Sequence, residues 1–327
     1  MYDVAREAGV SQTTVTHVLT GKRPVSAATK ERVWDAITRL DFHPNEMARA
    51  LRRQRSHSVA LVLPNIVHAL APVFARHAGV RLREHGFQVT IHETDGDPET
   101  AASIVGALAS WPVDGAIFSG FALGPDSAEA LHRRQIPFVN CGVDDEEVRP
   151  WPVVRLDQGE GMRQVLEVLA ERTAGAIAYV GGPAGAPGAD IRRRAYEREM
   201  ARLGRPVDER LIASVAYDWR AGRQAARSLL GTGLPFGAVA CANDLIAIGV
   251  CAELRGRGIA IPDDVAVTGF DNIEPDAMVE PTLTSVETHM DRIAQEGVDL
   301  LLAAMGGQED LAANVLVQPQ LVRRASA

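Results

Sequence analysis

The sequence predicts an α/β protein: a small all-helical head, then a larger body of parallel sheets covered by helices. Three observations predict it. Apolar residues in the first forty positions recur at i, i+3, i+4 between glycines, a helical period. From residue 58 onward, short aliphatic runs alternate with longer helical stretches in two successive groups, as in repeated βα units. Charge divides at the same point. Residues 1–57 hold ten Lys/Arg against six Asp/Glu, and the rest holds 24 against 36, within a net charge of -8. A length of 327 residues suits two or three such domains.

In the head, a first helix is expected from about Asp3 to Ala8, with Val4, Ala5 and Ala8 on one face and Gly9 ending it. Ser11 is placed to cap a second helix, along which Val15, Val18 and Leu19 make one buried stripe. Gly21 and Pro24 mark a loop, Ser26 caps a third helix, and Val33, Ile37 and Leu40 repeat at i, i+4, i+7. Two helices joined by a tight turn, with a third burying their apolar faces, form a helix-turn-helix. The exposed face of its second helix carries Gln12, Thr13, Thr16 and His17, all able to hydrogen-bond to base edges. From spacing alone, a solvated polar face fits equally well.

Residues 44–56 read PNEMARALRRQRS. Asn45 after Pro44 opens a short helix whose face of Met47, Ala50 and Leu51 is surrounded by four arginines. A helix that short needs a partner in water, its own copy or a nucleic-acid groove. Leu51 is placed as an apolar wedge between base steps.

The motifs DVAxxAGVS, TVTxVL, VSxxTxxRV and PNxxARxL, in order over the first 51 residues, resemble the headpiece and hinge of the LacI/GalR transcriptional regulators. The similarity continues through the body. It implies a helix-turn-helix DNA-binding domain at 1–43, a hinge helix at 44–57, and an effector-binding and dimerisation core at 58–327. That core would be periplasmic-binding-protein-like, one lobe from about 58–156 and 287–316, the other from about 157–286 and 317–327. It also implies DNA contacts from Tyr2, Ser11, Gln12, Thr13, Thr16, His17 and Thr20, and from Asn45, Ala48 and Leu51. His17 stands where the family often has arginine, so the preferred base at that step is expected to differ. Met1 falls within the stretch that usually caps the first helix; either the chain starts upstream or the cap is lost, at about 1 kcal/mol.

In the body, strands are expected at 59–63, 87–92, 115–118, 137–141, 176–180, 211–215, 236–241 and 265–269. Helices are expected between them and at 290–305. Ligands of such folds bind at the carboxyl ends of the strands. Asn65, Asn243-Asp244 and Asp271-Asn272 follow strand ends. Asp244 reads as a helix-start residue, Asn243 and Asp271 as ligand contacts. Resemblance to AxNDxxAxG and GxD supports that assignment. It also selects Arg192 from the run Arg192-Arg193-Arg194 and Tyr217 as a stacking aromatic. From the first lobe it implies Asn65, His68 and Leu70, with Pro64 and Ala71 beside them, and Thr288 near a lobe crossing, with Met290 beside it. Gly142 stands where many relatives have a sugar-gripping aspartate, unless Asp144 or Asp145 takes its place. Asp157-Gln158-x-x-Gly161 resembles a structural motif of the lobe crossing.

Other classes fail on the residues. GGPAGAPG (181–188) lacks G-x-G-x-x-G, and there is no P-loop, H-E-x-x-H or G-x-S-x-G, so an enzyme is not expected. Neither a cofactor nor a metal is expected. No apolar run is long enough for a membrane span, and the N-terminus has no signal-peptide pattern, which also argues against a secreted sugar-binding protein. Three scattered cysteines suit a reducing cytoplasm, and a DNA partner places the protein at the nucleoid. The expected partners are a pseudo-palindromic duplex operator, a small-molecule effector such as a carbohydrate, and a second copy of the chain. The end LVRRASA has no heptads, so no coiled-coil tetramer is expected.

Overall fold

The computed structural model describes residues 1–21, 23–42, 56–67, 69–108, 113–143, 150–184, 187–307 and 314–327. The chain divides into two compact units, Met1–Ser56 and His57–Ala327. The predicted hinge helix with Asn45, Ala48 and Leu51 lies outside the described residues, as do His68, Asp144 and Asp145.

The first unit contains α1 (Tyr2–Glu7), α2 (Gln12–Thr20) and α3 (Ala27–Arg39). Ser11 Oγ accepts from Thr14 N at 3.1 Å and Ser26 Oγ from Thr29 N at 3.3 Å, so both predicted caps form. Gly21 closes α2 at φ +66, where a side chain would be strained. Val4, Ala5, Val15, Val18, Val33 and Ala36 make a closed core. Leu40 does not join it and is 43% exposed. Helix α3 stops at Arg39, Leu40 is its C-cap, and Asp41 turns to φ +46. Phe42 packs against the core after that turn.

The second unit holds two parallel sheets. The first uses β1 (Ser58–Leu63), β2 (Gln88–Glu93), β3 (Gly115–Ser119), β4 (Phe138–Val143), β5 (Val153–Leu156) and β11 (Asn314–Val317). Their order is β11-β5-β4-β3-β1-β2. Central strands of such a sheet are buried on both faces, which is why VALVL shows no alternation. Ala60, Val62, Phe118 and Phe138 pack with Val105 and Leu131 of the helices Pro98–Leu108 and Pro125–Arg133. Val59, Leu61, Val139 and Val154 face Phe74, Leu82, Val298 and Leu301 of Ala71–Glu84 and Met290–Met305.

The second sheet is β7-β6-β8-β9, from β6 (Ile177–Gly181), β7 (Ile212–Ser214), β8 (Ala238–Cys241) and β9 (Ala266–Thr268). Its helices Trp219–Gly231 and Asp244–Gly256 meet backbone to backbone: a Cβ on Gly222 would lie 2.2 Å from Ile246 O, and one on Gly249 2.1 Å from Trp219 O. The strand predicted at 211–215 is shorter because Asp208 caps a 3-10 turn at Glu209–Leu211 just before it. The prolines of GGPAGAPG do not keep that stretch wholly irregular, because Pro187 begins the helix Pro187–Arg202, where its missing N–H costs nothing.

Four strands were not predicted: β5, β11, and the antiparallel pair β10 (Ser285–Glu287) and β12 (Gln320–Val322). Each has three or four residues, too few to display a period. They lie where the chain passes between the sheets. Asp157 N donates to Val317 O at 3.1 Å, joining two of these passages side by side.

Candidate functional sites

A buried polar arrangement lies at the carboxyl ends of the second sheet. Asn243 follows β8 and caps the helix Asp244–Gly256, its Oδ1 accepting from Ile246 N at 2.9 Å. It was expected to contact ligand, and its carbonyl is spent on the cap; Nδ2 has no protein partner among the described residues. Asp244, the next residue, ties three segments together. Its Oδ2 accepts from Ile273 N at 3.0 Å and its Oδ1 from Ser285 Oγ at 2.5 Å. Burial raises its carboxyl well above the ordinary range, and the neighbouring Asp276 carboxyl adds to the rise.

Asp271 follows β9 and is 3% exposed at its side chain. Arg192, from the helix Pro187–Arg202, reaches it: Nη2 donates to Asp271 Oδ1 at 3.2 Å. The same guanidinium donates from Nε to Gln158 Oε1 at 2.7 Å and from Nη1 to Ala242 O. Its carbon lies 3.9 Å from the centre of the Phe270 ring. A cation sandwiched in this way neutralises a buried carboxylate that would otherwise be costly. Tyr217 packs on Gly182, where a Cβ would fall 2.2 Å from its ring. Burial raises the Tyr217 phenol above its usual value, with Arg192 opposing. A carboxylate, a guanidinium, an amide and aromatic surfaces suit a ligand with a ring and several hydroxyls.

Sequence reasoning missed two participants. Gln158 is buried and receives Arg192, yet its motif suggested only structure. Phe270 is the unassigned middle residue of the GxD match, a position to which the resemblance gives no role. Gly161 explains itself once Phe270 is placed, since a Cβ there would meet that ring at 2.7 Å.

The first-sheet residues are less assembled. Asn65 Oδ1 accepts from Val67 N at 2.8 Å, which closes a turn after β1. Leu70 is half-buried at the start of Ala71–Glu84, its carbonyl accepting from Phe74 N. Gly142 adopts φ +70 at the end of β4, and nearby Asn140 locks the loop after β3 through Leu123 N, Phe118 O and Phe121 O. Thr288 is fully buried, and its Oγ1 has no hydrogen-bond partner among the described residues.

In the first unit, Gln12 and Thr13 are exposed on α2, and Thr16 and His17 are half-buried. The Thr16 hydroxyl donates to Gln12 O at 3.0 Å, and Ser11 Oγ is occupied by the cap. Tyr2 is 65% exposed with the Arg6 guanidinium 5.9 Å from its ring centre. Thr20 lies in the last turn of α2. No helix among the described residues is long and apolar enough to cross a membrane, and no group of three or more His, Cys, Asp or Glu there could hold a metal.

Residues 1–45 match the lacI family of bacterial regulatory proteins, and residues 166–327 match the periplasmic binding protein-like domain. The HTH-type transcriptional regulator DegA of Bacillus subtilis is 30% identical over 329 residues, spanning 100% of this chain and 97% of that protein. The HTH-type transcriptional repressor CytR of Escherichia coli is 28% identical over 326 residues, spanning 100% and 95%. Among solved structures, the Lac repressor dimer bound to operator and the anti-inducer ONPF superposes with a TM-score of 0.88 at 25% identity, covering 99% of this chain and 98% of that one. A complex of the transcriptional regulator CelR with cellobiose gives 0.75 at 28% identity, with the same coverage. Full-length correspondence at this identity assigns the chain to the lacI family of bacterial regulatory proteins.

Proposed function

We propose that this protein is a homodimeric transcriptional regulator, a repressor, that grips a pseudo-palindromic operator and releases or tightens it when a carbohydrate-like effector occupies the body. In this reading it is not a catalyst, and its place of work is the nucleoid. The division is 1–43 for operator reading, 44–57 for the hinge and 58–327 for effector and dimer contacts. Gln12, Thr13, Thr16 and His17 read base edges, while Tyr2, Ser11 and Thr20 set the register on the backbone. Asn45, Ala48 and Leu51 serve the operator centre. Asn65, His68, Leu70, Arg192, Tyr217, Asn243, Asp271 and Thr288 line the effector site. The observation that carries the reading is the clamp of Arg192 on Asp271 over Phe270, built on the same chain as a capped helix-turn-helix.

Selection of bound duplexes from a random pool tests it. A palindromic consensus is expected, with affinity falling steeply as salt rises. His17→Arg should change the preferred base at one symmetric position. The consensus duplex is then titrated in the presence of disaccharides, sugar phosphates, polyols and nucleosides in turn. A pool that returns no consensus sinks the proposal.

A further inference from the structure

Three residues with side chains adopt positive φ around one carboxylate: Asp271 at 111°, Asn272 at 51° and His289 at 51°. Such angles are costly for any residue with a Cβ and persist only where neighbours hold them. The holder is Glu287, the last residue of β10. Its Oε2 accepts from Asn272 Nδ2 at 2.7 Å, and its Oε1 accepts from His289 N at 2.8 Å. Asn272 is gripped from its other side by Arg324, whose Nη2 donates to Asn272 Oδ1 at 2.6 Å, and by Ser285 Oγ, which accepts from its N–H at 3.0 Å. Asp271 is bonded to the same strand, its N–H donating to Val286 O at 2.9 Å.

These bonds join two different bodies of structure. Asn272 belongs to the loop after β9, next to the Asp271 that meets Arg192. His289 is the N-cap of the helix Met290–Met305, whose Ile293, Val298 and Leu301 are buried with β4 and β5 of the first sheet. One carboxylate therefore spans the chain's passage from the second lobe to the first. We infer that Glu287 is a positioning residue: it sets the backbone of Asp271-Asn272 and ties that loop to the helix Met290–Met305, so that displacement of Asp271 is passed to the first lobe. A mere loop staple would affect stability without changing how the lobes stand to each other. The inference rests on the proposed effector site only for its purpose; the geometry of the tie is independent of it.

The test uses the full chain. Spin labels go on Ser103→Cys in the first lobe and Ser228→Cys in the second, both exposed; the three native cysteines are buried and stay unlabelled. Pulsed dipolar spectroscopy reads the interlobe distance without operator or effector. Glu287→Ala should shift the mean by more than about 2 Å, the scale of a hinge rearrangement, or visibly widen the distribution. Glu287→Gln, which keeps an oxygen for His289 N, should recover most of the parent distribution. Asn272→Ala removes the same bond from the other side and should reproduce Glu287→Ala, which also covers a failure of that variant to fold. A parent-like distribution in both alanine variants overturns the inference. Loss of operator selectivity in the parent would instead sink the functional proposal and leave this reading standing.

Discussion

Asp276 offers a quantitative check on the core beneath the proposed effector loop. Its side chain is fully buried, and neither carboxyl oxygen has a donor among the described residues. Asp244, itself 1% exposed, lies within hydrogen-bonding reach. Two carboxylates bring only acceptors, so the bond between them requires a proton on one of the pair. Burial first, with the Asp271 charge adding and Asp244 and Arg324 opposing, pushes Asp276 up to about 7 from 3.8. Between those values the folded chain keeps a proton that the unfolded chain has lost, so stability falls as pH rises and levels off above about 7. Asp276→Asn removes that titration, and its Nδ2 can donate to Asp244 in place of the shared proton. At about 1.36 kcal/mol per pKa unit, a carboxyl moved this far should make the variant gain about 3 kcal/mol over the parent between pH 5 and pH 8. Urea unfolding at half-unit pH intervals measures the difference. A difference that stays flat from pH 5 to pH 8 would refute the raised Asp276 carboxyl.

Other perturbations test separate joints. Ser11→Ala deletes the acceptor for Thr14 N and should cost the headpiece about 1 kcal/mol, seen as an earlier helical melt with the body transition unmoved. Arg192→Ala removes the guanidinium partner of the buried Asp271 carboxylate and should lower body stability by about 3 kcal/mol in urea. The same variant should abolish any effector response while operator binding survives. Gly249→Ala drives a methyl to 2.1 Å from Trp219 O, so the two helices must separate, at about 1–3 kcal/mol by thermal melting.

Much of the fold was legible because its signals are short. Ser11 and Ser26 announce their helices through bonds to residues only three positions on. The unbroken apolar run at 59–63 marks a strand buried on both faces, and that needs nothing beyond five adjacent residues. Leu40 fitted the period of α3 and still ended outside the core, because a period cannot say where the helix stops. The short strands β5, β10, β11 and β12 carried no readable pattern; they exist through their partners on other segments, as with Val154 beside Val315.

The site divides along the same line. Parallel βα units bring every strand's carboxyl end to one edge, so a polar residue just past a strand is a candidate from sequence alone. Asn243 and Asp271 stand out in that way. What Arg192 does with its three bonds depends on residues 34, 50 and 79 positions distant, and no local pattern reports them. The chemical type of a residue was visible, but the number of hydrogen bonds already spent within the protein was not. Asn243 lost its carbonyl to a helix cap, Asn65 its own to a turn, and Asn140 its whole amide to the loop after β3. The capacity left for a ligand is the inventory of each side chain less these internal bonds. In the second lobe that remainder is set beside a neutralised ion pair and two aromatic rings, whereas the first-lobe strand β4 has Gly142, without a side chain, one residue before its end. A ligand's specificity is therefore expected to be written chiefly by the second lobe, and substitutions at Arg192, Tyr217 or Asn243 should change which small molecules act, more than substitutions at Asn65 or Leu70 do.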